Sequence, residues 1–285
     1  MKLIHTVALA VTAAQAAVAA PGVMGAVEQR DSGLSARAGL TFVVECSPYT
    51  GTGGKKRKGA GDTCNTMCYG TNCKLKTKTF TFDGASKKTK DQRRTMAGCN
   101  PTEKNICKTD NRFKDKGLTD CDEFPLAATK EADKGGQVFR CVKPADNRSQ
   151  GGQTTTMIKQ CKGKYPCSFT FSFKGASPYK YCGASPNCKA DDNLFTQGNK
   201  PVTKRDVAIE SQVHEGGYFQ LRSGATIYSP SDLAIGSIAV RNAYSNETNA
   251  ISAEEAAQIE ADGLWDEDEE DDEDDFIEDE VVAKL

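Results

Sequence analysis

The sequence predicts an α+β fold: a small, disulfide-rich domain with a central antiparallel sheet and a few short helices. Three observations carry this reading. Twelve cysteines, from Cys46 to Cys188, all fall in the middle of a 285-residue chain. An even count in an exported protein implies a disulfide framework, and cross-links compensate for a modest apolar core. Short stretches of β-branched and aromatic residues alternate with Gly- and Lys-rich loops, the pattern of strands joined by turns. Zinc is the alternative use of the cysteines, with Cys64, Cys68 and Cys73 or Cys182 and Cys188 as ligands. Their spacings do not match the compact hooks of structural zinc sites.

Taken in order, Lys2 followed by an uncharged, mostly apolar run from Leu3 to Ala19 reads as a secretory signal over residues 1–19. Ala17-Val18-Ala19 supplies a small-residue cleavage pattern. The run is short for a membrane span, and no later stretch approaches eighteen apolar residues, so the expectation is a soluble, secreted, extracellular protein without a membrane span. Residues 20–40 are expected to be a flexible lead-in or pro-segment. A disulfide-rich domain then spans 41–250, free of cysteine from about 207. Its strands are expected at Thr41–Cys46, Thr77–Phe82, Val138–Val142, Ser168–Phe173, Gly217–Arg222 and Leu233–Val240, and short helices at Pro125–Ala132 and Gly152–Gln160. Ser47–Gly61 and Lys87–Arg94 read as basic loops. Residues 251–285 are expected to form an acidic, disordered tail.

Net charge is −2, which conceals a polarised chain. Glu254 to Glu280 holds 17 acidic residues, whereas residues 1–253 carry 36 basic against 22 acidic side chains, a net +14. A basic exported body suggests a polyanionic partner, such as nucleic acid or an anionic polysaccharide. The acidic tail is expected to contact that body. The sequence leaves the oligomeric state open.

Candidate chemistry lies in two stretches, Asp120-Cys-Asp-Glu-Phe-Pro125 and Asp146-Asn-Arg-Ser-Gln-Gly-Gly-Gln153. The mature chain has one histidine, His214, far from both, and no local pattern supports a histidine-paired nucleophile. Asp120, Asp122 and Glu123 form a hard oxygen cluster of the kind that holds Mg²⁺, Mn²⁺ or Ca²⁺, and a cation would relieve their repulsion. Asn147 adds an amide oxygen, and Arg148 has the fork that grips a phosphate. Gly151-Gly152 lets a backbone approach a ligand closely. Asn147-Arg148-Ser149 is also a glycosylation sequon, and a cleft-facing Asn147 is expected to escape modification; Asn246-Glu247-Thr248 is the more ordinary acceptor.

The run CDEFPLAATKEADKGGQVFRCVKPADNRSQGGQ resembles the core of the NucA/NucB-type secreted deoxyribonucleases. The resemblance rests on Asp120-Cys-Asp-Glu-Phe-Pro-Leu-Ala127, on Gly135-Gly136 and the strand Val138–Val142, and on Pro144-Ala-Asp-Asn-Arg148. It implies a metal-dependent endonuclease without sequence specificity that uses an acidic residue where related nucleases use histidine. Carried onto this chain, it implies that Asp122 activates water. Asp120, Glu123 and Asn147 then share the cation, most simply Mg²⁺ or Mn²⁺, while Arg148 holds the scissile phosphate and Gln153 supports the shell. DNA is the implied substrate, with RNA open. The alternative is a non-catalytic secreted module that binds nucleic acid or an anionic glycan; a third is a secreted interaction protein or toxin.

Overall fold

The structure is a computed structural model and describes residues 40–75, 77–99, 105–197, 199–202, 216–243, 250–262 and 276–285. The expected signal, all of the lead-in but Leu40, His214, the Asn246 sequon and Trp265 lie outside these residues. Strand β1 is Leu40–Glu45, followed by the hairpin β2 (Tyr49–Thr50) and β3 (Lys56–Arg57) and by helix α1 (Thr63–Tyr69). Next come β4 (Thr79–Phe82), α2 (Lys87–Ala97), α3 (Ile106–Thr109) and α4 (Asn111–Lys114). The middle of the chain supplies β5 (Asp120–Phe124), β6 (Val138–Val142), α5 (Pro144–Lys159) and β7 (Cys167–Lys174). Beyond it are β8 (Phe195–Thr196), β9 (Lys200–Pro201), β10 (Gly217–Leu221), β11 (Thr226–Ser229), β12 (Ile238–Asn242), α6 (Ala253–Asp262) and β13 (Phe276–Lys284).

The α+β character stands, but the expected central antiparallel sheet does not. Six strands close into a mixed barrel in the order β1-β12-β13-β10-β11-β7, with β7 returning to β1. β1 runs parallel to both of its neighbours, β12 and β7, and the other pairings of the ring are antiparallel. The physical reason lies in β1 itself. Thr41 to Glu45 is buried on both faces, the condition of a strand with parallel neighbours covered on both sides. Val43 points into the barrel with Phe219, Leu221, Ile227, Ala239 and Val281. Phe42 and Val44 point outward into a second, aromatic core with Phe80, Phe82, Phe124, Phe169, Phe171 and Phe173. β4 extends this wall by pairing antiparallel with β7.

The expected disordered tail over 251–285 is also corrected where it is described; residues 263–275 lie outside the described residues. Phe276–Lys284 is a barrel strand held between β10 and β12. Its acidic Asp279 is buried and binds Arg241 Nε at 2.7 Å. Ala253–Asp262 is a helix whose Ser252 hydroxyl accepts from Glu255 N at 3.1 Å, an N-terminal cap.

A separate four-stranded antiparallel sheet, ordered β5-β6-β8-β9, leaves β5 at its edge. Phe124, the last residue of β5, packs against Phe80 and Phe171, with ring centroids 5.0 and 5.9 Å away. It fits only because residue 70 is glycine: a Cβ there would lie 2.2 Å from the Phe124 ring. All twelve cysteines are bridged, as 46–64, 68–182, 73–188, 99–121, 107–141 and 161–167.

Two helices differ from expectation in ways that shape the site. Lys87–Arg94, read as a basic turn, belongs to α2, Lys87–Ala97. Ser86 caps its start by accepting from Thr89 N at 3.2 Å, and Gly98 ends it in the left-handed region at φ 101°. α5 begins at Pro144, eight residues before the expected start, and runs through Gly151-Gly152. Each glycine costs a helix up to about 1 kcal/mol relative to alanine. Tertiary anchoring offsets that: Met157 is buried, and Gln153 exchanges two hydrogen bonds with the Glu45 backbone at 2.9 and 3.1 Å. The expected helix at Pro125–Ala132 is reduced to a single 3₁₀ segment, Lys130–Lys134.

Candidate active site

β5, α2, α3 and α5 enclose a cleft of about 540 Å³. β5 contributes Asp120, Asp122 and Glu123 because, as an edge strand, its free side has no neighbour to cover it. α5 contributes Asn147, Gln150, Gly151, Thr154 and Ile158, spaced three and four apart and so on one helical face. α2 contributes Lys90 and Arg94, again one turn apart, and Asn105 and Lys108 close the rim.

Side chains alternate along a strand, and this splits the acidic triplet. Asp120 and Asp122 turn toward α5. Asn147 Nδ2 donates to Asp120 Oδ2 at 3.2 Å, and Gln150 Nε2 donates to Asp122 Oδ1 at 3.3 Å. Glu123 turns toward α2, where its Oε1 lies 3.7 Å from Arg94 Nε and accepts from Ala127 N at 3.3 Å. The expected three-carboxylate cluster is therefore not assembled. Among the described residues, no group of three or more His, Cys, Asp or Glu side chains converges as a metal cage.

The cross-links hold this arrangement from behind. Cys121, between the carboxylates, bridges to Cys99 at the end of α2, and its partner across the ladder, Cys141, bridges to Cys107 on α3. Arg93, the neighbour of Arg94, is buried and binds Asp83 and Asp133 through charge-assisted bonds of 2.6 to 2.7 Å, with a further bond to the Ala127 carbonyl. It pins α2 against the segment after β5 and so aims Arg94 at Glu123.

Burial sets the charge state. Desolvation pushes the Asp122 carboxyl well above the usual carboxylate range; the neighbouring Glu123 pushes the same way and Arg140 opposes. The Thr66 hydroxyl beside Asp122 also opposes the rise, yet neither that hydroxyl nor the buried Asp122 Oδ2 meets hydrogen-bond geometry with any partner. Desolvation also raises Glu123 from 4.5 to about 7, with Arg94 acting against it. The consequence for stability has a definite sign. Between pH 4.5 and about 7 the native state holds a proton on Glu123 that the unfolded chain has lost. Stability therefore falls as pH rises through that window, by about 3 kcal/mol for Glu123 alone. Asp122 pulls in the same direction. In chelator, the thermal midpoint is expected to drop between pH 5 and pH 8, and Glu123→Gln to remove part of the drop. A midpoint that is flat or rises over that interval contradicts the burial argument.

Of the residues singled out in sequence, the cleft gathers Asp120, Asp122, Glu123 and Asn147. It does not gather Arg148, which is exposed and outside the lining, or Gln153, which is buried against β1. One residue along a helix rotates the side chain by about 100°, so Arg148 cannot share the face of Asn147. Sequence reading missed Arg94, Lys90, Lys108 and Gln150. The spacing of Lys90 and Arg94, and of Asn147 and Gln150, carried the signal once both segments are taken as helices.

Comparison with known proteins agrees with this geometry. Residues 67–169 match the family described as Deoxyribonuclease NucA/NucB. That span runs from α1 into β7 and contains every residue lining the cleft. The resemblance read from the motifs is thus shown, and the family is one of nucleases. No curated protein and no solved structure matches the chain.

Proposed function

We propose that the cleft hydrolyses phosphodiester bonds of DNA, without sequence specificity and with a divalent cation, outside the cell. The supporting observation is convergence: carboxylates, amides and three cationic side chains line one cleft within the span that matches the nuclease family. The six disulfides suit an extracellular setting.

The donor set fits a hard cation. Asp122 keeps one buried oxygen without a partner, and two carboxylates suffice for Mg²⁺, which retains several waters. Asp120 and Asp122 would hold it, with Asn147 and Gln150 orienting their carboxyl groups. When bound, such an ion lowers the pKa of its water and stabilises charge developing on the phosphate.

The remaining chemistry belongs to the chain. Glu123, with a pKa near 7, is matched to taking a proton from water near neutral pH, a better fit than Asp122 for that role. Arg94 exchanges its contact with Glu123 for a phosphate oxygen, and Lys90 and Lys108 hold flanking phosphates. Phosphate contacts carry no sequence information, which accounts for non-specific cutting.

Arg94→Ala is expected to reduce plasmid cleavage by about 100-fold or more, the scale of a lost transition-state donor. Arg148→Ala is expected to cut nearly as well as the parent. The reverse ranking overturns the assignment of the phosphate site.

A further inference from the structure

Outside the cleft, several unlike charges meet where α6 joins the body. Lys56 and Lys58 come from the hairpin strand β3 and the residue after it, and Lys143 immediately precedes α5. Glu260 sets one carboxylate oxygen 2.8 Å from Lys143 Nζ and the other against Lys58 Nζ. Glu255 lies 2.7 Å from Lys56 Nζ. One carboxylate forked between two ammonium groups is the arrangement a backbone phosphate would take, with two oxygens on two lysines. Lys58 also lies 3.5 Å from Asp146 on the first turn of α5, and the Lys143 carbonyl accepts from Asn147 N at 3.2 Å. Asn147 lines the cleft. The lysines therefore border the N-terminal end of the same helix whose next face forms the cleft wall.

We propose that Lys56, Lys58 and Lys143 form a phosphate-binding ridge that extends the cleft, and that Glu255 and Glu260 occupy it until the backbone of DNA exchanges with them. The inference rests on the nuclease reading of the cleft. The helix is also seated by apolar contacts, since Ile251 and Ile259 are buried and Ile251 N donates to the Pro48 carbonyl at 3.2 Å. Neutralising the two glutamates therefore removes their charge from the ridge without unseating α6. Truncating the chain ahead of α6 is no substitute, because it removes β13 and opens the barrel.

The test measures binding of a short labelled DNA duplex in chelator, where cutting does not interfere. Glu255→Gln/Glu260→Gln is expected to bind about three- to tenfold tighter at low salt, the scale of two or three partly exposed ion pairs, with the gap closing as salt rises. Lys56→Gln/Lys143→Gln is expected to bind more weakly and to lower the slope of log affinity against log salt by roughly 1.8, for two lost phosphate contacts. Equal affinities and slopes in all three proteins, while the parent still cuts plasmid with cation, overturn the ridge and leave the cleft reading intact. A parent that neither binds the duplex nor cuts plasmid overturns both.

Discussion

Glu123→Gln and Asp122→Asn are each expected to remove most DNA cleavage, by about 10²- to 10⁴-fold, while the fold survives. Both substitutions keep the shape of the side chain and remove the ionisable oxygen. Glu123 sits at the cleft with one oxygen between Arg94 and Ala127 N, so a glutamine keeps the packing but cannot take up a proton. Asp122 is buried with an unpartnered oxygen, and an asparagine there offers one carbonyl where the carboxylate offers two acceptors. The stability of each variant should move opposite to its activity. Removing a carboxyl whose pKa burial raises increases stability in chelator at pH 8, well above the range in which the unfolded chain loses that proton. A variant that is both inactive and unstable at that pH would indicate collapse of the site, not loss of its chemistry. Circular dichroism melts beside the cleavage assay separate the two.

The second large effect concerns the bridges Cys68–Cys182 and Cys73–Cys188, which span 114 and 115 residues. Both tie the α1 region to the loop beyond β7. In the chain-entropy account, closing a loop of that length contributes about 5 kcal/mol, but either bridge alone closes nearly the same loop, so the two share that term. Losing both long bridges is comparable to the whole stability of an ordinary domain. Converting Cys68, Cys73, Cys182 and Cys188 together to alanine is therefore expected to lower the urea midpoint more than converting Cys99 and Cys121. The short pair should instead show its effect in cleavage, because Cys121 lies between the site carboxylates. Equal urea midpoints for these two variants would contradict the loop-length argument.

Much of the site was legible in the sequence, and less of the fold. Val138–Val142 was readable because its β-branched and aromatic content is local, and the disulfide framework because twelve cysteines in a chain read as exported have few other uses. The identity of Asp120, Asp122, Glu123 and Asn147 was legible because a motif preserves residue order. Their geometry was not. Alternation along β5 sends Glu123 away from its neighbours, and only the packing of α2 shows that Arg94 meets it. Arg148 and Gln153 were assigned on side-chain chemistry without the helical phase of α5, which places one outside the cleft and the other against β1. The barrel was hidden because β1 pairs with β7 and β12, more than a hundred residues away. The acidic block illustrates a different failure. Its charge suggested a solvated tail, yet Ser252 three residues before Glu255 is a helix-start pattern. Further on, Phe276, Ile277, Val281 and Val282 supply the apolar content of a strand, despite three acidic residues among them.

The most direct measurement is the conversion of supercoiled plasmid DNA by the purified, oxidised protein with Mg²⁺ or Mn²⁺ and with chelator, alongside Glu123→Gln. The expected result is nicking and linearisation with cation, none with chelator, and little with the variant. A parent that leaves the plasmid intact with either cation, or a Glu123→Gln variant that cuts as fast as the parent, contradicts the assignment of this cleft as a nuclease site.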